Sequence, residues 1–472
     1  MKSIPLKCIV ITPMLSRGLV PEKGKEYFPF ELRSQSIKGV LRFWLRTIIP
    51  TVIDPKFYNY EKFEETKDQK KYWKSQKYAG MKKLEELIMG SQFRKSPFSL
   101  KLDIPGKGKP IGKYLYNDEG KLRLAFDRTI GDWKLNYRYA IYGTYDIKLP
   151  NSRNKYVYSF LPEGTGFGVS IAISKNNYSK EFENVLIRLF QLVSTFSGFG
   201  AKVHKGFGEF EILEPKGFPR ENPEQAIVEA QNSLKGFIQH KYPDFFRPPN
   251  ANDFTFPFPS FCAYEILSID DKCSALKGDS VRSVLGRLYY NYYDHKNKKS
   301  YLGWYPMLKN KLRRLKVQGK SNDLIWNLKE MIKGKCDRTT LTTGILGLPL
   351  QYQRIRLGEK KLVNGKEIPI TGKITFSPHV KGEANNQGRK ASPLHISIHR
   401  RIENSSNKFF PIVLMLKSKI SDGNLHWNSS SNSSRYGFHS GRASTYDNFE
   451  KLKELIKEVN KDFKMIRNKS KR

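Results

Sequence analysis

A strand-then-helix unit that occurs twice constrains this chain more than any other feature. Near the N-terminus, residues 6–12 read Leu-Lys-Cys-Ile-Val-Ile-Thr, a β-branched run suited to a central strand. A loop with Gly18, Pro21, Gly24 and Pro29 follows, and then an amphipathic stretch over 31–46. Wound at 3.6 residues per turn, Ile37, Val40, Leu41, Trp44, Leu45 and Ile48 share one apolar arc. Lys38, Arg42 and Arg46, four apart, stack along another face. Ser34 or Ser36 is placed to cap this helix and Pro50 to end it. Gly39 lies beside the cationic row, where a missing side chain would let a phosphate approach the backbone. Past the midpoint a strand over 260–269 precedes Ser280-Val281-Arg282-Ser283-Val284-Leu285-Gly286-Arg287. That helix repeats the residue types of Ser36-Ile37-Lys38-Gly39-Val40-Leu41, which predicts an internal duplication.

Between the two units the first half completes itself. Residues 156–161 and 166–173 read as strands around Pro162-Glu163-Gly164. Phe182, Val185, Leu186, Leu189, Val193 and Phe196 form one helical stripe. A glycine-rich segment over 197–208 and a strand over 209–213 follow. The order is β-α-β-β-α-β, the ferredoxin-like order, with a basic helical insertion at 54–80 and hairpins over 100–150. Pro243, Pro248, Pro249, Pro257 and Pro259 mark a linker, so the expected domains are 1–245 and 255–472 in an α+β fold. In the second half, Tyr301, Trp304 and Tyr305 lie among the cations of 296–320, a composition suited to single-stranded nucleic acid or to a solvated insertion. Strands are expected over 373–376, 394–398 and 410–416, a polar loop over 428–434, a last helix through Phe449 and Phe463, and a basic tail.

Charge narrows the function. Lys plus Arg number 84 and Asp plus Glu 45, a net +39, in a chain that is 38% hydrophobic and 13% aromatic. That is too apolar for a disordered basic tail, and so large an excess points to an anionic partner, nucleic acid before a membrane surface. No apolar run reaches the roughly 18 residues a membrane span needs, and the start of the chain lacks a signal-peptide pattern, so a cytoplasmic location is expected. Cys8, Cys262, Cys273 and Cys336 are scattered without a CxxC pair, which gives neither a zinc site nor a disulfide framework.

The residues that could carry chemistry are few. In 197–208 four glycines bracket Lys202, His204 and Lys205. The segment follows a helix and lacks the Lys-Ser/Thr ending of a P-loop, so it suits gripping a sugar-phosphate backbone through N–H groups and cations better than nucleotide hydrolysis. His395 and His399 sit about 13 Å apart along a strand, too far to share one metal, and read as a polar strand face. Asp270-Asp271 is an ordinary acidic turn, and no acidic cluster of the two-metal kind exists. No cofactor and no metal are expected. His204 is the one candidate general acid or base for a metal-free RNA cleavage.

The 33–44 helix, the loop ending Lys205-Gly206-Phe207-Gly208, and the segments Gly347-Leu348-Pro349 and Arg389-Lys390-Ala391-Ser392-Pro393-Leu394 together resemble the RAMP superfamily of CRISPR proteins. Within it they are most similar to the family of first subunits of the type III-B Cmr effector complex. Phe199 and the Val203-His204 pair depart from the richer Gly/Arg loop of that family. The resemblance implies two tandem ferredoxin-like domains in a non-catalytic RNA-binding subunit. Such a subunit would sit beside another RAMP subunit near the 3′ side of a guide RNA and help capture target RNA, while other subunits cut. The RNA contacts expected here are Arg33, Lys38, Gly39, Arg42, Phe43 and Arg46 on the helix and Lys202, His204, Lys205 and Phe207 on the loop. A weaker third set is Arg282, Arg287, Arg389, Lys390 and Arg400. The alternative is a metal-independent endonuclease that processes CRISPR transcripts.

Overall fold

The fold was described from a computed structural model. It describes the chain except residues 59–77, 107, 111–139, 142, 145–146, 151–153, 219, 221, 246–257, 269–275, 290, 295–298, 316–323, 337–338, 347–349, 379–391, 404, 419–424, 446–447 and 470–472. The chain forms two compact units: Met1–Phe254 with Pro259–Gly303 and His395–Leu416, and Trp304–Leu394 with Thr255–Phe258 and Lys417–Arg472.

The first unit begins with β1 (Lys2–Val10), α1 (Ser34–Val52), α2 (Ala79–Met89), β2 (Phe98–Asp103), β3 (Gly166–Ile173), α3 (Lys180–Phe196), β4 (Phe210–Glu214) and α4 (Pro223–Lys241). The four strands pair antiparallel in the order β2-β3-β1-β4. The strands follow a βαββαβ order with the second, third, first and fourth side by side, but the second is Phe98–Asp103: of the strand expected over 156–161, Ser159–Leu161 instead pairs with Met14–Ser16 in a separate sheet, which corrects that part of the reading. β1 alternates: Ile4, Leu6, Cys8 and Val10 point inward while Lys7 faces out and pairs with Glu214 across the sheet at 2.8 Å. Burial pushes the Cys8 thiol up to about 12, so it packs as an inert small hydrophobe.

α1 buries Ile37, Leu41, Trp44, Leu45 and Ile48 against α3 and α4, as its apolar arc requires. Trp44 is fully buried, stacked between Phe196 and Phe261 at ring distances of 5.8 and 5.9 Å. Two expectations for this helix are corrected. Arg33 is its N-cap and no side chain caps it. Pro50 lies inside it, near enough to the end at Val52 that only the last turn meets the missing N–H. α3 is capped in the usual way, Ser179 accepting from the Phe182 N–H at 3.1 Å.

The same unit holds β5 (Tyr264–Ser268), α5 (Val281–Tyr289), β8 (Leu394–Glu403) and β9 (Ser406–Leu416). Their sheet order is β5-β9-β8, first, third and second strand, and no fourth strand joins it among the described residues. The second unit carries α6 (Trp304–Arg313), α7 (Leu324–Ile332), the hairpin β6 (Leu350–Val363) and β7 (Lys366–Pro378), β10 (Leu425–Ser431), β11 (His439–Thr445) and α8 (Phe449–Lys469). Its five-stranded sheet runs Thr340–Leu341, β11, β10, β7, β6. The polar stretch expected as a loop over 428–434 is thus partly strand, because β10 is paired on both sides and backbone hydrogen bonding outweighs its serine-rich side chains. No helix among the described residues is long and apolar enough to cross a membrane.

Candidate nucleic-acid interface

The cationic row of α1 is occupied by the protein itself. Lys38 donates to the Phe98 carbonyl at 2.7 Å and the Ser96 hydroxyl at 2.8 Å, and lies 4.4 Å over the Phe98 ring. Burial, and then Arg42, pull its ammonium below the usual lysine range. Arg42 donates to the Gly90 carbonyl at 2.8 Å, at the C-terminus of α2 where a cation is favoured, and meets Glu85 at 3.1 Å. Arg46 takes the same buried carboxylate, donating to Glu85 at 2.8 Å, though it remains largely exposed. Arg33 pairs with Glu31 at 2.8 Å. The reading of a solvated row free for phosphates is therefore corrected: α2 and β2 neutralise or hold most of it. Gly39 does face open space, with nothing within 4 Å of an added Cβ.

The glycine-rich segment is a tightly packed clasp. Its N–H groups at Phe199, Ala201 and Gly208 already donate to Gly208, Leu15 and Pro13 carbonyls at 2.9, 2.7 and 3.0 Å. They are spent on the fold and do not cradle a ligand, which changes the expected role of the loop backbone. Gly200 (φ 95°) and Gly208 (φ 74°) have positive φ, and a Cβ on them would overlap the carbonyl oxygens of Leu15 and Phe199. Phe207 is 1% exposed and packs toward Tyr289 at 6.4 Å, so it is core and has no face for a base. The side chains left at the rim are Lys202 and Lys205. Lys202 is half-buried with φ 66°, and desolvation lowers its ammonium. Lys205 reaches the Ala140 carbonyl at 3.4 Å.

His204 joins a buried polar cluster that links the loop to β8. Its Nδ1 lies 3.0 Å from Nδ1 of His395, so one of the two facing nitrogens donates and the other accepts. Burial lowers His204 to about 4 and drives His395 well below the usual imidazole range, with His204 adding to the latter. The Ile396 N–H donates to the His204 carbonyl at 3.2 Å. Glu209, fully buried, accepts from Arg220 at 2.6 Å and from the Ile398 N–H at 2.8 Å. Burial raises its carboxyl to about 7 against the pull of Arg220. His399 donates through Nε2 to the Thr195 carbonyl at 2.9 Å, and burial lowers it to about 3. The expected polar strand face of His395 and His399 is therefore corrected: both are buried, because the loop lies across β8. Phe43 is half-buried, its ring 5.4 Å from His395 and 6.0 Å from His204.

The third set is scattered. Arg282 is exposed and pairs with Glu163 at 3.3 Å, Arg287 donates to the Lys277 carbonyl, and Arg400 meets Glu211 at 3.0 Å. Arg389 and Lys390, like Asp270-Asp271, lie outside the described residues. One residue absent from the sequence reading stands beside the loop: Arg17, two residues after Leu15, which bridges Ala201. Its guanidinium lies over the rings of Phe28 and Tyr158 at 4.8 and 5.3 Å and forms no ion pair among the described residues. Nothing in its local pattern distinguishes it, since Gly18, Pro21, Gly24 and Pro29 make 13–30 read as a loop. Among the described residues no group of three or more His, Cys, Asp or Glu is placed to hold a metal ion.

Residues 7–211 match the RAMP superfamily. The match runs from within β1 through the glycine-rich loop to the start of β4. The chain is also similar to the solved structure of Cmr1 from Pyrococcus furiosus in its apo form, with 13% identity over 88% of each chain and a TM-score of 0.42. It is similar to a chain of the type III-B Cmr-beta bound to cognate target RNA, with 14% identity over 97% of this chain and 99% of that one and a TM-score of 0.37. A Cmr-beta structure bound to cognate target RNA and AMPPnP in the presence of ssDNA gives 11% identity over 98% and 99%, with a TM-score of 0.37. No curated protein matches the chain.

Proposed function

We propose that this chain is a non-catalytic RNA-binding subunit of a type III-B CRISPR effector complex. It contacts guide RNA near the 3′ side, stands beside another RAMP subunit and helps capture target RNA. The observation that carries the reading is the RAMP-superfamily segment in a chain of net charge +39, with Lys202 and Arg17 at the rim of its glycine-rich loop. These two take over the leading role from Lys38 and Arg42, which are held by neighbouring elements. Arg46, still exposed, and Lys205 are second to them. The domain proposal keeps two ferredoxin-like halves joined near 245–255, the second interrupted by an inserted unit.

The state of His204 supports the non-catalytic role. An imidazole held at about 4 is protonated in only about one molecule in a thousand at pH 7 and is a weak base. A denaturing gel tests this directly. Labelled single-stranded RNA incubated with the intact chain, with and without Mg²⁺, should stay intact. Discrete cleavage that disappears in His204→Ala would put the processing endonuclease in its place.

A further inference from the structure

The sheet of the second unit has one face packed on α7 and one face open. Trp427 and Ser429 of β10 are buried, and a Cβ added to Gly372 of β7 would lie 2.7 Å from Ile332 of α7. The alternate residues His426, Asn428 and Ser430 point the other way. Directly opposite them across the ladders stand Arg442, Ser440 and, on β7, Lys373. All but the half-buried Asn428 are exposed, and Lys373, His426 and Arg442 form no ion pair among the described residues. β10 and β11 contain no acid, and the one acid of β7, Glu367, pairs with Lys360. Four residues of β10, about 13 Å, separate the two ends of this strip. At one end the strip meets an opening. β11 joins β10 only from His439, while β10 stays paired with β7 as far as Ser431. The loop between them gapes around a volume of about 460 Å³ whose lining includes Ser430, Asn432, Ser434, Gly437 and Phe438. That lies within the roughly 300–1,000 Å³ of small-ligand sites. The loop is tied down: the Asn432 side chain accepts from the Thr371 N–H at 2.9 Å, and the Ser431 hydroxyl is shared between the Ser433 and Tyr436 carbonyls at 2.6 and 3.1 Å. Arg435 and Tyr436 turn to Glu359, which leaves Phe438, 70% exposed, with no ring contact among the described residues.

We infer that this open face binds a stretch of single-stranded RNA, with phosphates at Lys373 and Arg442 and one base on the Phe438 ring in the opening. The inference rests on the RNA-binding reading above and gives it a second surface, in the other unit. Two cations at opposite ends of a strip without acids suit an extended chain of repeated charges better than a lone anion. A free aromatic face beside serine and asparagine groups suits an unstacked base, whose face packs and whose edges hydrogen-bond. An acidic peptide would answer the cations but not this ring.

The test is binding of the intact chain to a labelled single-stranded RNA across a salt series, with melting temperatures recorded for each variant. Phe438→Ala should weaken binding about tenfold without changing the salt slope, and Phe438→Tyr should restore it. Lys373→Gln with Arg442→Gln should flatten the slope by about 1.4, or about 0.7 for each phosphate released. A measurement on wild type alone stands beside these. RNA at ten times its dissociation constant should slow amine modification of Lys373, followed by peptide mass spectrometry, about tenfold. A wild type that binds no RNA overturns the inference together with the RNA-binding reading. RNA that binds but leaves Lys373 unprotected overturns the inference alone. So does affinity and slope equal to wild type in folded Phe438→Ala or in the folded double variant, and the face then belongs to a protein neighbour.

Discussion

At His395 a single proton lies between two facing imidazole nitrogens, an arrangement that fails once both rings are protonated, and burial disfavours protonating either. The consequence for stability has a definite sign. His204 and His399, with folded values of about 4 and 3, and His395, also lowered, bind protons readily only when unfolded, near 6.5. Glu209 acts oppositely, since its raised value of about 7 makes the folded state hold a proton that the unfolded chain releases above 4.5. Three imidazoles against one carboxyl leave a net uptake on unfolding between pH 4.5 and 6.5. Stability therefore falls as pH falls through that window, by up to about 1.4 kcal/mol per pH unit for each net proton. Thermal melting at pH 7 and pH 5 should show the drop, and His395→Asn should make it shallower; a flat profile would rule the pair out as its source. Arg42 gives a second test at this scale. Arg42→Ala leaves the Gly90 carbonyl at the end of α2 without its cation and buried Glu85 with Arg46 alone, and should lose about 1–2 kcal/mol in urea unfolding, whereas Arg46→Ala, at an exposed guanidinium, should lose under about 1 kcal/mol. The apolar arc of α1 was legible because periodicity fixes which side chains turn inward. The fate of its cations was not, because Glu85 and Phe98 are some 40 to 60 positions away in sequence.

Among the elements, the glycine-rich clasp is the one whose sequence is most tightly dictated. Gly200→Ala and Gly208→Ala set a Cβ onto a carbonyl oxygen at positive φ and should each destabilise by about 3 kcal/mol or more. Gly206→Ala, at φ 75° but with no atom nearer than 3.5 Å, should lose only about 1–2 kcal/mol. Urea denaturation of the three variants measures the contrast, and equal losses would mean the clasp is looser than described. In the first sheet β1, β3, β4 and the stripe of α3 were legible, whereas β2 was not: Phe98–Asp103 runs into a stretch that reads as hairpins, and of 156–161, the strand expected in its place, Ser159–Leu161 joins another sheet. α4 was missed, for its apolar positions Ala226, Ile227, Ala230, Leu234 and Phe237 form a weaker stripe than that of α3. The place of β8 was unreadable for a different reason: a strand with Leu394, Ile396 and Ile398 between histidines looks half-exposed until another element covers its second face.

For the whole molecule the decisive quantity is charge. Its excess of 39 positive charges survives folding, for the ion pairs rearrange cations without removing them. RNA binding that neutralises phosphates should then depend steeply on salt. The most direct measurement is the affinity of the intact chain for a labelled single-stranded RNA across a series of salt concentrations, for wild type and for Arg17→Gln with Lys202→Gln. The logarithm of the binding constant should fall linearly with that of salt, and the double variant should flatten the slope by about 1.4, or about 0.7 for each phosphate that is no longer neutralised. A salt-independent affinity, or an unchanged slope in a folded double variant, would contradict the assignment of this rim to RNA.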